Sequence, residues 1–316
     1  MAWLVPVEPS CQPASPPHAF SRETPMIDRR TTIASLTASL VAPAPLVHAN
    51  APLTARGVFA TIKTASGQPW DPNPTDDRII YGRRDAAVTG IATCFTASID
   101  VLRRAKLAGL NYVIPHEASF FERYDDFAES AVRDDDPVLR AKMRFLDEGG
   151  MVIQRMHGHA HSRPGDAIMT GLIRRLGWDA LRADRPGMPW IDLPATSARE
   201  LGRHIADKLG RKTLRMFGDP DRLVRTLSVS AGMPGENAQI QQLESGADAV
   251  LLGEVREPEV LGYAQDMAAS RPVTVFLAGH TAEDPGMGLI ADWLRTVFPK
   301  LPVQWLEAAD PYVNPA

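Results

Sequence analysis

Five of the eight histidines in this 316-residue chain fall in three short motifs. These are His116-Glu117, His157-Gly158-His159-Ala160-His161, and Gly279-His280 followed by Glu283-Asp284. Neutral imidazole is the commonest nitrogen donor to Zn, Mn, Fe and Ni, and carboxylates complete mixed donor sets for the same ions. Each motif directly follows an apolar run that reads as a buried strand: Tyr112-Val113-Ile114, Met151-Val152-Ile153, and residues 273–277. In α/β proteins ligands gather beyond the carboxyl ends of strands. The chemistry suggested is metal coordination, with catalysis by the metal as its first reading.

The middle motif is the most specific. Three histidines at alternating positions share one side of an extended segment; a solvated or pH-sensitive loop is the plainer alternative. His116 and Glu117 would point to opposite faces of an extended strand, so a turn after Pro115 is needed to bring both to one site. His280 and Glu283, at a strand-to-helix turn, can aim one nitrogen and one oxygen at the same ion. Glu254 and Glu257 follow another apolar strand, and Glu257 reads equally well as a solvated charge. Asp125-Asp126 and Asp134-Asp135-Asp136 read as exposed loop acids. Gly232-Met233-Pro234-Gly235 lacks the lysine of a phosphate loop and supports no nucleotide reading.

The elements that must position these residues alternate. Residues 88–91, a helical stretch and 108–117 match residues 227–230, a second helical stretch and 245–254, when aligned on their last residue. Each copy reads strand, helix, Gly-terminated turn, apolar strand, carboxylate; chance similarity of two ordinary crossovers is the alternative. In the first helix Val101, Leu102, Ala105 and Ala108 share a face, and Gly109 stops it. A strand–helix–strand unit of this length is a right-handed crossover between parallel strands. Further elements are a helix over 137–146, a strand over 151–155, a helix capped by Asp166 and closed by Gly177, and a late helix carrying Met287, Ile290, Leu294 and Phe298. The fold class is therefore α/β: two related α/β domains with mostly parallel sheets, and the metal site between them at strand C-terminal ends. The halves span 50–178 and 201–316, joined by a Pro-rich connector or insertion over 179–200.

Composition excludes some partners. A hydrophobic fraction of 44% and a charged fraction of 23% are ordinary for a globular protein. A net charge of −4 offers no electrostatic reason to expect nucleic acid. No apolar stretch beyond the leader is suited to span a membrane. Residues 1–49 read as a leader. From Met26, paired Arg29-Arg30, a mildly apolar run and Val47-His48-Ala49 resemble a twin-arginine export signal, with a periplasmic or secreted product expected. A disordered tail and a cytoplasmic protein are the alternatives. Cys11 lies in this leader, which leaves Cys94 as the one thiol of the mature chain and no internal disulfide.

Taken together, the motifs resemble the Nif-three-like family of dinuclear metal proteins, described as homologues of type-two GTP cyclohydrolase I. His116-Glu117 stands where that family ends a strand with His-His-Pro or His-Glu-Pro. His157 and His161 hold the four-residue spacing of its His and Asp, so His161 replaces the Asp. Gly279-His280 stands where a Glu follows four residues on; here Glu283 is three on and Asp284 four, and Glu283 is preferred because Pro285-Gly286-Met287 looks like the family's continuation. Gly253-Glu254 also looks like its Gly-Glu turn. The resemblance implies two α/β domains, a toroidal homohexamer and two divalent metal ions (Zn, Mn, Fe or Ni). It implies His116, Glu117, His161, His280 and Glu283 as metal ligands, with His157 or His159 completing the set or acting in proton transfer.

The expected function is metal-dependent hydrolysis of a small-molecule substrate at a C–N or phosphoester bond, a water between the two ions ionising near neutral pH. His159, unless a ligand, is expected to shuttle a proton, with His157 as the alternative. A barrel-type metallo-amidohydrolase is a rival because of His159-Ala160-His161, although that motif then sits unusually late in the chain. A non-catalytic metal-binding or ligand-binding protein is the rival of a different class.

Overall fold

The computed structural model describes residues 52–70, 76–122, 125, 135–162, 165–313 and 315. The leader, Asp126 and Asp134 lie outside the described residues. Among the described residues no helix is long and apolar enough to cross a membrane.

The first sheet takes β1 (Ile79–Tyr81), β2 (Ile91–Cys94), β3 (Tyr112–Pro115), β4 (Val152–Gln154) and β11 (Val303–Trp305) in the order β1-β4-β3-β2-β11. Only the β1–β4 pair is antiparallel. The second sheet holds β5 (Arg182–Ala183), β6 (Trp190–Ser197), β7 (Arg215–Phe217), β8 (Leu223–Val229), β9 (Ala249–Leu252) and β10 (Thr274–Leu277), in the order β5-β6-β8-β9-β10-β7. Here β8–β9 and β9–β10 are parallel and the other three pairs antiparallel. "Mostly parallel" therefore describes the first sheet and not the second. The stretch expected to be a connector over 179–200 instead holds β5 and β6. Trp190 and Ile191 of β6 are buried and pair with Ser228 and Leu227 of β8. Proline in this stretch does not exclude a strand: Pro194 lies where the β6–β8 register shifts, between Asp192 and Thr196.

Both halves of the repeat form parallel pairs. In the first, α2 (Ile99–Leu107) joins β2 to β3; in the second, α7 (Glu236–Glu244) joins β8 to β9. Ser98 caps α2 by accepting from Val101 N, and Val101, Leu102 and Ala105 face the core, whereas Ala108 is exposed. The first strand begins later than its pattern suggests. Val88 N and Thr89 N donate to Leu53 O and Asn111 Oδ1, so only from Ile91 does the backbone enter the sheet.

Strand residues alternate between two buried faces, which is why the strands read as unbroken apolar runs. Ile91, Tyr112 and Ile114 of one sheet and Ala249, Leu251 and Phe276 of the other enter a shared core. That core also takes residues from α1 (Ala55–Ser66), α5 (Ala167–Arg175), α6 (Ala198–Leu209) and α9 (Asp284–Val297). Ala92, Cys94 and Val113 face α2 and α3 (Pro137–Glu148) in a second cluster, and Val250, Leu252 and Val275 face α8 (Gly262–Ala268) in a third. Gly171 of α5 meets Gly286 of α9 backbone to backbone, with no room for a Cβ at either. That close approach brings the start of α9, and with it Glu283, up to the first sheet, where Thr93 of β2 donates to Met287 O at 2.8 Å.

Two acids expected in exposed loops have structural work instead. Asp136 caps α3, and Asp125 is buried at 2%, accepting from Ser119 N and Phe120 N. Near it Lys142 is buried at 4% and donates to Ser119 O. Burial, only partly offset by Asp125, lowers its amine to about 8. The unfolded chain keeps this proton to about pH 10.4. Between those values the unfolded state binds more protons, so stability rises with pH, by about 3 kcal/mol at most. Because His280 titrates with the opposite sign over the same range, the rise is read as a difference: from pH 7 to pH 9.5 in urea unfolding the wild type should gain stability relative to Lys142→Met. An identical pH dependence in both chains would show that Lys142 does not contribute.

Candidate metal centre

The strand ends deliver the donors. Past β3 the backbone keeps its pairing, His116 N donating to Cys94 O and Glu117 N to Phe95 O. Past β4 comes a five-residue helix, α4 (Gly158–Ser162), entered from His157. Past β10, Gly279 leads into a single helical turn, His280–Glu283, that runs directly into α9. The donor atoms of His116, His157 and His161 lie within 4.8 Å of one another, and so do those of His116, Glu117 and Glu283. His280 joins them, its Nε2 lying 3.3 Å from both Glu117 Oε1 and Glu283 Oε2. His157 Nε2 is also 3.3 Å from Glu117 Oε1. All five expected ligands, and His157, therefore converge. All of them but the fully buried His116 border a cavity of 810 Å³ that Asp76, Arg155, Met233 and Arg256 also line.

The four imidazoles are oriented alike. Nδ1 of His116 faces Met156 O at 3.2 Å, Nδ1 of His280 faces Glu254 Oε2 at 3.1 Å, and Nδ1 of His161 faces Asp166 Oδ2 at 3.3 Å. His157 Nδ1 turns more loosely to Asp76, at 4.0 Å. A carbonyl or carboxylate only accepts, so it favours the proton on Nδ1 and leaves the Nε2 lone pair for the interior of the cluster. Outer acceptors that fix the tautomer in this way are the usual companions of metal-binding histidines.

The donor set fits a cation. His116 Nε2 and Glu283 Oε2 are buried, 3.3 Å apart, and neither has a hydrogen-bond partner among the described residues. Leaving such atoms unsatisfied costs about 1–3 kcal/mol each. One cation between them satisfies both. Ligand atoms about 2.1 Å from a common ion lie roughly 3.0–3.4 Å from each other, the spacing that recurs around Glu117, Glu283 and His280.

The charges reinforce each other. Burial opposes ionisation of Glu283, but His116 and His280 outweigh it and bring the carboxyl down to about 2. For Glu117 burial is likewise overcome, by His157 and His280, and the carboxyl is held far below the usual range. Burial lowers His280, yet Glu117, Glu254 and Glu283 together push it up to about 12. His161 is raised against burial by Asp166. Without an ion the imidazoles thus neutralise excess carboxylate, the part a bound metal ion would take over.

The structure separates several alternatives. Glu283 faces the cluster, whereas Asp284 accepts from Trp305 Nε1 and Ala308 N. Glu254 supports His280 from outside, and Glu257 pairs with Arg215 at the surface. The expectation of one extended segment carrying all three clustered histidines is corrected. Because α4 is helical, His157 and His161 share a face and His159 turns the other way, at about 100° per residue. His159 is bound to Asp77 and stacked on Trp70, so it is not placed to shuttle a proton at the cluster.

Sequence reasoning missed Asp76, Arg155 and Gly232. Arg155 donates to Glu117 Oε2 at 3.1 Å and to His116 O at 3.2 Å; its only sequence signal is its place at the end of an apolar strand. Gly232 adopts φ +55°, and a Cβ there would run into the Glu283 carboxylate and His280 Nε2. Gly232→Ala should therefore cost about 1–3 kcal/mol of stability through backbone strain and weaken metal binding by displacing Glu283. Metal titration of the variant checks this, and unchanged affinity would show the carboxylate can move freely.

Comparison with known proteins places this geometry. Among solved structures the chain is similar to hypothetical protein SA1388 of Staphylococcus aureus, at 14% identity and TM-score 0.64, over 83% of this chain and 99% of that one. It is also similar to a Bacillus cereus protein related to NIF3, at 12% identity and TM-score 0.64, over 82% and 98%. HcgD of Methanocaldococcus jannaschii is a further relative in fold, at 16% identity and TM-score 0.57, over 80% and 97%. No curated protein matches in sequence. The sequence match that spans residues 68–311 takes in both sheets and every donor of the cluster, and by it the chain belongs to the Duf34/NIF3 (NGG1p interacting factor 3) family.

Proposed function

We propose that this cluster holds two divalent metal ions and that the protein is a metal-dependent hydrolase of a small molecule, acting on a C–N or phosphoester bond. The observation that carries the reading is the pair of donor groups that meet at His116, one with His157 and His161, the other with Glu117 and Glu283. His280 adds its Nε2 to the second group. When bound, such ions acidify water and polarise the electrophile of a substrate.

The chain's own groups do the rest. Arg155 holds Glu117 by one oxygen and leaves Oε1 to the cluster. His157, at the cavity wall, can hold or release a proton at Nε2 beside Glu117 Oε1 whenever it is not a ligand. Arg256 lines the cavity edge with its guanidinium paired to both Glu236 and Glu259. A cavity of 810 Å³ against the donors favours catalysis over a closed structural site, since catalytic sites keep an open position. A homohexameric ring, implied by the family resemblance, belongs to the same reading and is checked by light scattering.

The test is elemental analysis of residues 50–316 with assays before and after chelation. About two ions per chain are expected, with hydrolysis of C–N or phosphoester substrates lost on chelation and restored by added metal. No bound ion after metal-replete expression would overturn the proposal. Two ions without hydrolysis across both substrate classes would favour a metal-holding protein instead.

A further inference from the structure

The middle histidine of the clustered motif has surroundings of its own. His159 is buried at 8%, with Nδ1 2.6 Å from Asp77 Oδ2 and Nε2 3.1 Å from Pro69 O. Its ring stacks on Trp70 with centroids 3.6 Å apart and planes at 17°. Trp70 in turn meets Phe59 of α1 edge to face at 5.4 Å. Asp77, buried at 5%, does more than face His159. Its Oδ1 accepts from His157 N at 2.6 Å and its Oδ2 from His159 N at 2.9 Å.

A five-residue helix cannot sustain itself, because nucleation is unfavourable and its first N–H groups have no acceptor within the helix. Asp77, just ahead of β1, supplies that acceptor from outside. The remaining donors need no such device. His116 and Glu117 continue the pairing of β3, and the approach to His280 is held by Ala278 N on Leu252 O and Gly279 N on Gly253 O.

We infer that Asp77 and His159 are a positioning pair that sets the placement of His157 and His161, and so governs the affinity of one of the two ions while leaving the other untouched. The inference rests on the two-ion reading above. Asp77 fixes the backbone at the start of the turn, His159 locks Asp77, and the stack on Trp70 holds the ring against α1. What remains adjustable is the half of the centre carried by α4. The half carried by β3 and β10 is set by sheet pairing.

Cobalt(II) titration of the metal-free chain, followed by calorimetry and by the visible absorption of the bound ion, tests this. The variants are Asp77→Asn, His159→Phe and His159→Asn, each checked for folding by circular dichroism. The wild type should show two binding steps. In Asp77→Asn and His159→Phe one step should weaken by about 10–100-fold, with a changed absorption band, while the other shifts by less than about threefold. His159→Asn places an amide N–H near the position of Nδ1–H and should recover most of the loss. Equal weakening of both steps, or a titration like the wild type's, would overturn the inference. If His159→Phe does not fold, Asp77→Asn alone decides by the same criterion. A wild type with fewer than two steps overturns the two-ion reading, and the inference with it.

Discussion

His116→Ala should lose one of the two metal ions. His116 lies within reach of both groups, but its one free lone pair, on Nε2, serves a single ion, and that nitrogen is fully buried beside Glu283 Oε2. Four-ligand zinc sites bind with about 10–16 kcal/mol, roughly 3 kcal/mol per ligand, so the ion held by His116 should weaken at least about a hundredfold. The metal-free chain should change little, because two effects oppose. The cavity left by the ring costs about 2 kcal/mol or more, and removal of a buried, unsatisfied nitrogen returns about 1–3 kcal/mol. The signature is therefore a thermal midpoint that rises less than the wild type's on adding zinc, with a metal-free midpoint close to the wild type's. Both ions still bound tightly in His116→Ala would show that His116 is not a ligand.

Glu283 and Asp284 are adjacent carboxylates that should give opposite outcomes. Glu283→Gln removes the charge that faces His116 and His280, each at 3.3 Å, and should weaken metal binding roughly a hundredfold, about one ligand's share. Asp284→Asn should keep the metal. It loses the charged acceptor of Ala308 N at 2.7 Å and Trp305 Nε1 at 3.1 Å, at a cost of about 1–3 kcal/mol. That loss loosens β11 and the segment after it from α9, so it should appear in unfolding experiments and not in metal titrations. Metal loss in Asp284→Asn with retention in Glu283→Gln would reverse the assignment.

Much of this protein is legible in its residues because local chemistry and periodicity carry it. Apolar runs of three to five residues, each followed within four positions by an imidazole or a carboxylate, mark β3, β4, β9 and β10, since strands buried on both faces have no polar side to show. The repeat marks two parallel pairs. His116, Glu117, His161, His280 and Glu283 stand out by type and spacing alone, and the structure brings all five together.

Other features depend on contacts between distant residues. His-x-His-x-His reads the same in a strand and in a helical turn; Asp77, some eighty positions away, supplies the caps that make it a turn and remove His159 from the site. The 179–200 stretch carries too weak an apolar pattern to announce β6, which forms because Trp190 and Ile191 find a paired edge at β8. Between Glu283 and Asp284 sequence spacing cannot choose, because neighbouring side chains on a helix differ by about 100° in direction. The choice falls to the packing of α9 on α5 and β2, where Gly171 against Gly286 sets the helix and Trp305 and Ala308 take Asp284. The sequence by itself determined the donor types and the strands that carry them. The tertiary structure decided which of those donors face one another, because direction is set by packing partners far away in the chain.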